Sequence, residues 1–404
     1  METEILQKKK IKQVPKLRFK EFDGEWNNIS GKEIFINSRV KGNKELPIYS
    51  VTLEREMVPR SSLKRRTENA ANTNDNLFVA KNDISYNMMR MWQGAFGLSP
   101  EDCMVSPAYV VLHPKPNFSS EFFIRYFNRA RSLYFFTAFS YGLTSDRLRL
   151  YFKDFARIKF ATPPLVEQQK IASFFSAVDK KIQQLTRKKE LLEIYKKGVM
   201  RQLFSQEIRF KTGNGKDFPK WEEKKLMEVG KIITGSTPPT ADASYYAGKR
   251  LFVSPADINS SRFINDTKTK ITDKGIKKGR LIKKGGVLFV CIGSTIGKVA
   301  QAGDECITNQ QINSIESNQN HSNDFIYALL TFYGQKIKLL AGVQAVPQIN
   351  KTDFSNLKYE FPSLVEQQKI ADFLAAIDRK TETVQQQITK TQSFKKGLLQ
   401  QMFV

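Results

Sequence analysis

A segment of 42 residues occurs twice in this chain of 404 residues. Residues 163–204 and 362–403 align without a gap at an offset of 199, and 18 of the 42 positions are identical. The eight residues LVEQQKIA are the same in both copies, at Leu165–Ala172 and Leu364–Ala371. A period of half the chain is far longer than the ~20–50 residues of a solenoid repeat. The sequence therefore predicts one duplicated unit with internal pseudo-two-fold symmetry.

Each copy of the repeat predicts one long helix. From Val178 to Leu203, apolar residues recur mostly at steps of three, four or seven, which is the a/d seam of a coiled coil. About 38 residues at 1.5 Å each would form a rod of roughly 57 Å. A helix resting on a globular core can show the same seam, but the length and the duplication favour a helix pair. Because a globular segment separates the copies along the chain, we expect an antiparallel, intramolecular coiled coil.

A glycine recurs near the end of each predicted helix, at Gly198 and Gly397. Glycine inside a helix costs ~1 kcal/mol relative to alanine. Because the glycine is repeated at the same place, we expect a close helix–helix contact there.

The segments before the two helices share an order of elements but little sequence. Short β-rich runs such as Ile84–Asn87 and Val287–Ile292 are followed by a late helix, predicted at Glu121–Phe136 and Asp324–Leu340, and then by a last strand. The sequence thus predicts an α+β fold in which two mixed α/β domains are separated by two long antiparallel helices. The expected divisions are a first domain at 14–162, a central helix at 163–208, a second domain at 209–361 and a C-terminal helix at 362–404.

The charge of the chain points to a polyanionic partner. Lys and Arg number 65 against 40 Asp and Glu, so the formal net charge is +25. Solubility alone does not require a basic surface, since acidic residues serve it at least as well. An excess of this size favours nucleic acid as the partner.

Other features argue against membrane insertion and export. The longest apolar runs are far shorter than the ~20 residues of a membrane span. The N-terminal residues contain no apolar stretch typical of a signal peptide. Cys103, Cys291 and Cys306 are isolated, which argues against a disulfide framework and a zinc knuckle. We therefore expect a cytoplasmic protein without a membrane partner.

The sequence shows no recognisable active site. Its two histidines, His113 and His321, lie in different halves, which argues against a histidine-based triad or metal site. Gly293–Lys298 is similar to a phosphate-binding P-loop, but the spacing is one residue short and Val299 has no hydroxyl for magnesium. A tight glycine turn between strands explains this segment better.

The duplicated LVEQQKIA after a proline, leading into a long helix, resembles the repeated regions of the specificity (S) subunit of type I restriction–modification systems. The second half adds further likeness. Thr234–Pro239 with Tyr245-Tyr246 resembles the G-G-T-P opening of that family, and Gly293–Lys298 resembles its G-T-I-G-K segment. Asn309–Gln311 resembles its L-N-Q segment, and Gln348–Asn350 its Q-x-N stretch.

The first half resembles a different target domain of the same family, through Tyr86–Gly94 and Val105–Tyr109. It lacks both the G-T-P and the G-T-I-G segments. The resemblance covers nearly the whole chain from Val14.

This resemblance implies a specific division of labour. Each globular half would be a target recognition domain that reads one half-site of a bipartite site in double-stranded DNA, with the helix pair as the ruler between them. Two modification subunits would carry S-adenosylmethionine and methylate an adenine in each half-site. Two restriction subunits would use ATP and magnesium for translocation and cleavage. The chain itself would be non-catalytic and would bind no cofactor.

Candidate contact residues follow from residue type, because Arg or Lys suits guanine and Asn or Gln suits adenine in the major groove. For the first three residues below, a phosphate contact or a solvated loop is favoured over base reading. Trp92 suits the core as well as a contact, and Asn309 could simply end a strand. The DNA-binding candidates are Lys64, Arg65, Arg66, Arg90, Trp92, Gln93, Ser294, Thr295, Lys298, Asn309, Gln310, Gln344 and Gln348.

Four glutamines of the repeated motif are candidates for binding the modification subunits, since a helix start does not require glutamine. They are Gln168, Gln169, Gln367 and Gln368. Two alternatives to a specificity subunit stay open at this point. One is a self-contained methyltransferase or nuclease, for which no stretch of sequence is left to house a cofactor domain. The other is a coiled-coil scaffold that binds only protein.

Overall fold

The computed structural model describes residues 13–43, 45–53, 56–63, 75–144, 146–259, 261–341 and 347–404. Contacts divide the chain into two units, one of Met1–Leu185 with Gln387–Val404 and one of Thr186–Gln386. The sequence predicted the long helices as segments separate from the globular domains. In the structure, each unit instead combines a globular domain with part of both long helices.

The first unit is a mixed α/β structure. Its strands are β1 (Asn27–Ser30), β2 (Phe35–Ser38), β3 (Tyr49–Val51), β4 (Met57–Pro59), β5 (Leu77–Val79), β6 (Ile84–Asn87), β7 (Phe96–Leu98), β8 (Cys103–Val105), β9 (Tyr109–Pro114) and β10 (Lys159–Thr162). Its helices are α1 (Gly31–Ile34), α2 (Ser120–Phe127), α3 (Ala130–Ala138) and α4 (Phe152–Phe155). The long helix α5 (Leu165–Phe204) begins here and ends in the second unit.

The second unit has the same succession of elements. Its strands are β11 (Glu222–Lys225), β12 (Gly230–Thr234), β13 (Tyr246–Val253), β14 (Phe263–Ile264), β15 (Thr269–Ile271), β16 (Val287–Val290), β17 (Val299–Ala302), β18 (Cys306–Thr308), β19 (Ile312–Ser317) and β20 (Lys358–Phe361). Its helices are α6 (Leu226–Val229), α7 (Asp273–Ile276), α8 (Asn323–Leu339) and α9 (Lys351–Asn356). The long helix α10 (Leu364–Gln401) begins here and ends in the first unit.

The central sheets of the two units have the same strand order. In the first unit the order is β2-β9-β6-β7, and in the second it is β12-β19-β16-β17-β14. The first four strands are antiparallel in both, and β14 adds a parallel edge to the second. A two-stranded antiparallel pair, β1–β10 or β11–β20, precedes each long helix. The expectation of a shared order of elements with different sequences is therefore confirmed at the level of topology.

The smaller sheets differ between the units. In the first unit β5 pairs with β8 antiparallel. In the second unit β13 pairs with β18 parallel and with β15 antiparallel. Sequence pattern alone did not indicate this difference in strand direction.

Inside each unit the parts of α5 and α10 run antiparallel, as the sequence predicted. In the first unit the Phe175 and Phe403 ring centroids lie 5.9 Å apart, and Lys395 Nζ lies 2.5 Å from Asp179 Oδ1. In the second unit Lys196 Nζ lies 2.5 Å from Asp378 Oδ1. The two ion pairs are related by the 199-residue offset of the sequence repeat.

Two expectations about helices are wrong. A Cβ atom added to Gly198 or Gly397 would meet nothing within 4 Å, so neither glycine serves a close helix contact. The late helix of the first domain is also broken, because α2 ends before Asn128 and α3 begins after Arg129. The Asn128 side chain donates to the Ile124 carbonyl, and such local bonds compete with helix continuation.

The core of the first unit is dominated by phenylalanine. Phe35, Phe123, Phe127, Phe155 and Phe160 are buried together, and the ring of each lies within about 6 Å of another. The core of the second unit is more aliphatic on its sheet. No helix among the described residues is both long and apolar enough to cross a bilayer.

Candidate nucleic-acid interface

The repeated LVEQQKIA motif is anchored in each unit by a buried glutamate. In the first unit Arg18 donates from Nε and Nη2 to the two carboxylate oxygens of Glu167, at 2.8 and 2.7 Å. Trp26 Nε1 donates to Glu167 Oε1 at 3.3 Å. The carboxylate side chain is only 1% exposed, so this paired geometry compensates the loss of its hydration.

The second unit repeats the same three-residue anchor. Arg209 donates from Nε and Nη2 to the two oxygens of Glu366, at 3.1 and 2.7 Å. Trp221 Nε1 donates to Glu366 Oε2 at 3.2 Å. Arg209 and Trp221 therefore hold Glu366 in the same way as Arg18 and Trp26 hold Glu167.

Two of the four candidate glutamines are buried rather than presented to a partner. Gln168 Oε1 accepts from Ser119 N at 2.9 Å, and its Nε2 donates to the Pro163 carbonyl at 2.8 Å. Gln367 makes the equivalent bonds to Ser322 N and the Pro362 carbonyl, at 2.9 and 2.8 Å. Each glutamine thus ties the start of the long helix to the residue that caps α2 or α8. The prediction of a partner surface is corrected for this pair, because both are essentially inaccessible.

The other two glutamines are exposed and stay candidates for a partner surface. Gln169 lines a shallow surface pocket with Phe19, Lys170, Ser173 and Phe174. The Phe19 and Phe174 rings meet edge to face at 5.7 Å.

The second unit repeats part of this arrangement around the exposed Gln368. There the Phe210 and Phe373 centroids lie 5.8 Å apart. Val166 and Val365, from the two copies of the motif, are 66% and 61% exposed and add apolar area nearby in sequence.

Within the described residues, the DNA-binding candidates of the second unit meet at one edge of its sheets. Thr234 at the end of β12 pairs with Asn313 near the start of β19, and Val290 at the end of β16 pairs with Ile312. Val253 at the end of β13 pairs with Thr308 at the end of β18. We call this the polar edge of the second unit. It is formed by residues 234–239, 293–298, 309–311 and 347–349.

Hydrogen bonds fix the loops of this edge to one another. Gly293 N donates to the Pro347 carbonyl at 2.9 Å. Thr237 Oγ1 donates to Gln310 Oε1 at 2.7 Å, and Asn309 Nδ2 donates to Gln311 Oε1 at 2.9 Å. Polar side chains are therefore held in place before any ligand arrives. Thr237 was not singled out by the sequence, which marked only the motif around it.

The Gly293–Lys298 segment is a tight turn between β16 and β17, as the sequence predicted. Gly293 and Gly297 have φ of +92° and +90°, values that side chains with a Cβ rarely adopt. The turn leaves Ser294 and Lys298 exposed and Thr295 half-buried. Lys298 Nζ donates to the Ile258 carbonyl at 3.0 Å, so its reach toward a ligand requires release of that bond.

Three further candidates of the second unit, Asn309, Gln310 and Gln348, occupy the same edge. Gln310 and Gln348 are exposed and Asn309 is half-buried. Gln348 forms an isolated antiparallel bridge with Ile292, which brings it beside the Gly293 turn. Gln344 lies outside the described residues.

Three candidates of the first unit occupy the topologically equivalent turn. Arg90, Trp92 and Gln93 lie between β6 and β7, which correspond to β16 and β17 in the sheet order. Gly94 has φ of +95° and precedes β7 by two residues, as Gly297 precedes β17. This positional match of glycines is the sequence signal that could have aligned the two turns.

Exposure differs among these three residues. Arg90 and Gln93 are exposed, whereas Trp92 is half-buried and donates from Nε1 to the Met89 carbonyl at 3.1 Å. The indole N–H of Trp92 therefore stabilises the turn, while part of its ring stays accessible to a ligand. Lys64, Arg65 and Arg66 lie outside the described residues.

A second segment contacts each turn from the region after the late helix. In the first unit Leu150 N donates to the Met88 carbonyl at 2.9 Å, at the base of a hairpin closed by Tyr141 and Arg149. In the second unit Pro347 accepts from Gly293. The exposed Arg147 and Arg149 lie in this hairpin, and sequence reasoning missed them because nothing in the sequence indicates the contact of Leu150 with Met88.

Cys291 lies next to the polar edge in sequence and is buried. Burial raises the pKa of the Cys291 thiol to about 12, so the thiolate that could act as a nucleophile is not formed near neutral pH. Within the described ranges, no cluster of three His, Cys, Asp or Glu side chains could hold a metal ion.

Comparison with known proteins agrees with this arrangement. A sequence model of the family described as "Type I restriction modification DNA specificity domain" matches residues 24–194 and again residues 219–391. The chain belongs to this family. The two matches fall on the two halves that the sequence repeat defines.

Two curated members of the family show how limited the sequence similarity is. The specificity subunit of the type I restriction enzyme MjaIX of Methanocaldococcus jannaschii is 29% identical over 182 residues, which are 43% of this chain and 42% of that protein. The HindI specificity subunit of Haemophilus influenzae is 30% identical over 150 residues, or 35% and 32% of the two chains. The chain thus matches less than half the length of each of these relatives.

Solved structures of the family share the fold. The S subunit of a type I restriction–modification system from M. genitalium superposes with a TM-score of 0.58 over 97% of this chain and 99% of that one, at 15% identity. A chain from a study of type I R-M complex assembly and conformational transition gives a TM-score of 0.57 over 95% and 97%, at 17% identity. The likeness extends over both units.

Proposed function

We propose that this chain is the DNA-binding specificity subunit of a type I restriction–modification complex. The observation that carries the proposal is the pair of equivalent turns, one in each unit. They sit at the same place in the same sheet order, yet they present different polar side chains. A shared scaffold with different contact residues suits a protein that reads two unlike half-sites.

The residue types at these turns suit direct readout of bases. The guanidinium of Arg90 can donate two bonds to guanine, and the amides of Gln93 and Gln310 can each pair with adenine. Serine and threonine at Ser294 and Thr295 accept or donate at either base. Fixed loops reduce the entropy lost when such contacts form.

We propose that the length of the two long helices sets the number of base pairs between the half-sites. Each helix begins in one unit and ends in the other without interruption. Inserting one heptad after Glu190 and one after Thr389 keeps the a/d seam in register. It adds ~10 Å of helix, or about three base pairs at ~3.4 Å each.

The heptad variant should methylate a site with both half-sequences unchanged and a longer spacer, as measured by methylome sequencing. A matched insertion of four residues at the same places rotates the seam and should impair folding. A folded heptad variant that is active on the original spacing would show that the helices do not measure distance.

The partners and cofactors are also proposals. Two modification subunits, each carrying S-adenosylmethionine, would dock on the repeated parts of the two units, and Gln169 and Gln368 are the candidate contacts. Two restriction subunits would bring ATP and magnesium for translocation and cleavage. The chain itself contributes specificity and no catalytic step, so purified chain alone should neither methylate nor cleave DNA.

The decisive experiment is methylome sequencing of cells that express the chain with its modification subunit. The expected result is adenine methylation at one bipartite motif. Replacing Ser294 and Thr295 by alanine should alter only one half of that motif. Methyl transfer by chain free of any modification subunit would instead support a self-contained methyltransferase. Methylation that persists at the same sites without the chain would contradict a role in specificity.

A further inference from the structure

A dense basic segment of the second unit has no place in the function described so far. Residues 268–284 contain eight basic residues and one acidic residue, Asp273. All eight basic side chains are exposed. We call them the basic strip: Lys268, Lys270, Lys274, Lys277, Lys278, Arg280, Lys283 and Lys284.

Few of these charges are neutralised within the unit. Lys270 lies 2.8 Å from Asp266 and Lys274 lies 3.7 Å from Asp242. Across the described residues, the other lysines of the strip form no ion pair. A surface that serves only solubility interleaves both signs, because like charges at this density repel one another.

Arg280 of the basic strip lies at the polar edge, and Lys283 lies further from that edge along β12. Arg280 Nη1 donates to the carbonyl of Thr234, the last residue of β12, at 2.7 Å. Lys283 N donates to Glu316 Oε1 at 2.7 Å, and Glu316 pairs with Lys231 of β12. Thr234 and Lys231 are three residues apart in β12, which corresponds to about 10 Å along the strand.

We propose that the basic strip binds the phosphates of the DNA beside the base pairs read by the polar edge. This inference rests on the proposed function. A duplex carries one negative charge per ~1.7 Å of axis, so DNA held at the edge places several phosphates within the length of the strip. Lysine binds phosphate as a point charge and needs no fixed geometry, which suits contacts independent of sequence.

The composition of the strip favours DNA over an acidic protein surface. Protein–protein interfaces are depleted in lysine and enriched in aromatic residues and methionine. The segment contains neither methionine nor an aromatic residue. Because Arg280 joins the basic strip to the polar edge, a single DNA duplex is sufficient as the ligand of both surfaces.

Two adjacent lysine pairs allow a matched test. The variants K277Q/K278Q and K283Q/K284Q each remove two exposed charges of the strip. The control K180Q/K181Q removes two exposed adjacent charges from α5. Each protein is assembled with its modification subunit, and its affinity for a duplex with the methylated motif and for an unrelated duplex is measured from low to high salt.

Each strip variant should lower the slope of log K against log salt by up to ~2, at ~0.9 per lost phosphate contact. The loss should be equal on the two duplexes, the methylated motif should not change, and the control should match the wild type. A wild-type slope in both variants would overturn the proposal. So would a change of motif, or a loss of bound modification subunits in native mass spectrometry with an unchanged slope.

The proposed function can fail separately. If the wild-type complex shows no preference for the motif, the polar edge does not read bases. The slope on unrelated DNA then still decides whether the strip binds phosphates.

Discussion

The two units share one set of anchoring residues and differ in the residues of their turns. We call the buried glutamate of each repeated motif, together with its arginine and tryptophan, the frame of the unit. The two frames are nearly identical, because Glu167 and Glu366 are each held by an arginine and a tryptophan at matching distances. Their turns share a left-handed glycine, Gly94 or Gly297, and nothing else in sequence. The comparison indicates that the frame is constrained by folding, whereas the turns are free to differ.

The cores show the same contrast. In the first unit Arg129 lies over the Phe403 ring, with its guanidinium carbon 5.6 Å from the centroid. In the second unit Phe332 stacks on Phe204 at 5.1 Å, and Phe204 is the repeat equivalent of Phe403. The same ring near the end of each long helix thus contacts an arginine between α2 and α3 in the first unit and a phenylalanine of α8 in the second.

The largest expected effect is loss of the frame anchor. Glu167→Ala or Glu366→Ala removes the ion-pair partner of a partly buried arginine and the acceptor of a tryptophan N–H, which typically costs ~3–5 kcal/mol. The two variants should lower the free energy of unfolding by similar amounts in urea titrations. If one loss were several times the other, the two frames would not be equivalent.

Glu382→Ala is the matched control for both substitutions. Glu382 is exposed on α10, and surface changes of this kind usually stay within ~0.5 kcal/mol. If Glu167→Ala and Glu366→Ala lowered the free energy of unfolding no more than this control does, the two glutamates would have no structural role.

The next effect concerns the turns. Arg90→Ala should relax specificity in one half of the methylated motif, and Ser294→Ala in the other. A bidentate contact such as that of Arg90 contributes ~1–3 kcal/mol of discrimination, or about 5- to 150-fold in relative affinity. Competition binding with duplexes altered in a single half-site measures the relative affinity of each variant for the two half-sites.

Protein folding should be unaffected by either turn substitution, because both side chains are exposed. Unchanged specificity for both variants would place base reading elsewhere on the units. If both acted on the same half-site, the assignment of one half-site to each unit would be wrong.

The smallest effect is expected at the repeated helical glycines. Gly198→Ala and Gly397→Ala should each stabilise the protein by ~0.5–1 kcal/mol, since an added Cβ meets nothing within 4 Å. Chemical denaturation of the two single variants checks this. Equal gains in the free energy of unfolding would show that the ends of the two long helices are equivalent as well.

Gly334→Ala provides the opposite control within α8. There an added Cβ would lie 2.5 Å from the Gly297 carbonyl oxygen, so the substitution should destabilise. Destabilisation by Gly198→Ala as well would restore the close helix contact that the repetition first suggested.

The repeat made the long helices and their antiparallel pairing predictable, because an a/d seam needs a partner and the second copy supplies one. The polar edge was located in part, since Gly293–Lys298 and Asn309–Gln311 carry recognisable patterns. The burial of Gln168 and Gln367 was not predictable. Helical spacing does not show which side of the first turn faces the capped end of α2 or α8.

The basic strip and the hairpin at Arg149 were also missed. A run of charges in a sequence does not indicate its position relative to a turn. That relation depends on contacts such as Arg280 to Thr234, which join residues far apart in the chain. The break between α2 and α3 escaped notice for a different reason, since the apolar pattern continues across Asn128.

The division of the chain into units has a consequence for biosynthesis. The second unit is one continuous stretch, whereas the first is completed by residues 387–404. Leu398, Met402 and Phe403 belong to the core of the first unit. On the ribosome, the second unit can close as soon as its own residues have emerged. The first must wait with an open hydrophobic core until the last helix is made. We therefore expect the domain that is translated first to complete its core last.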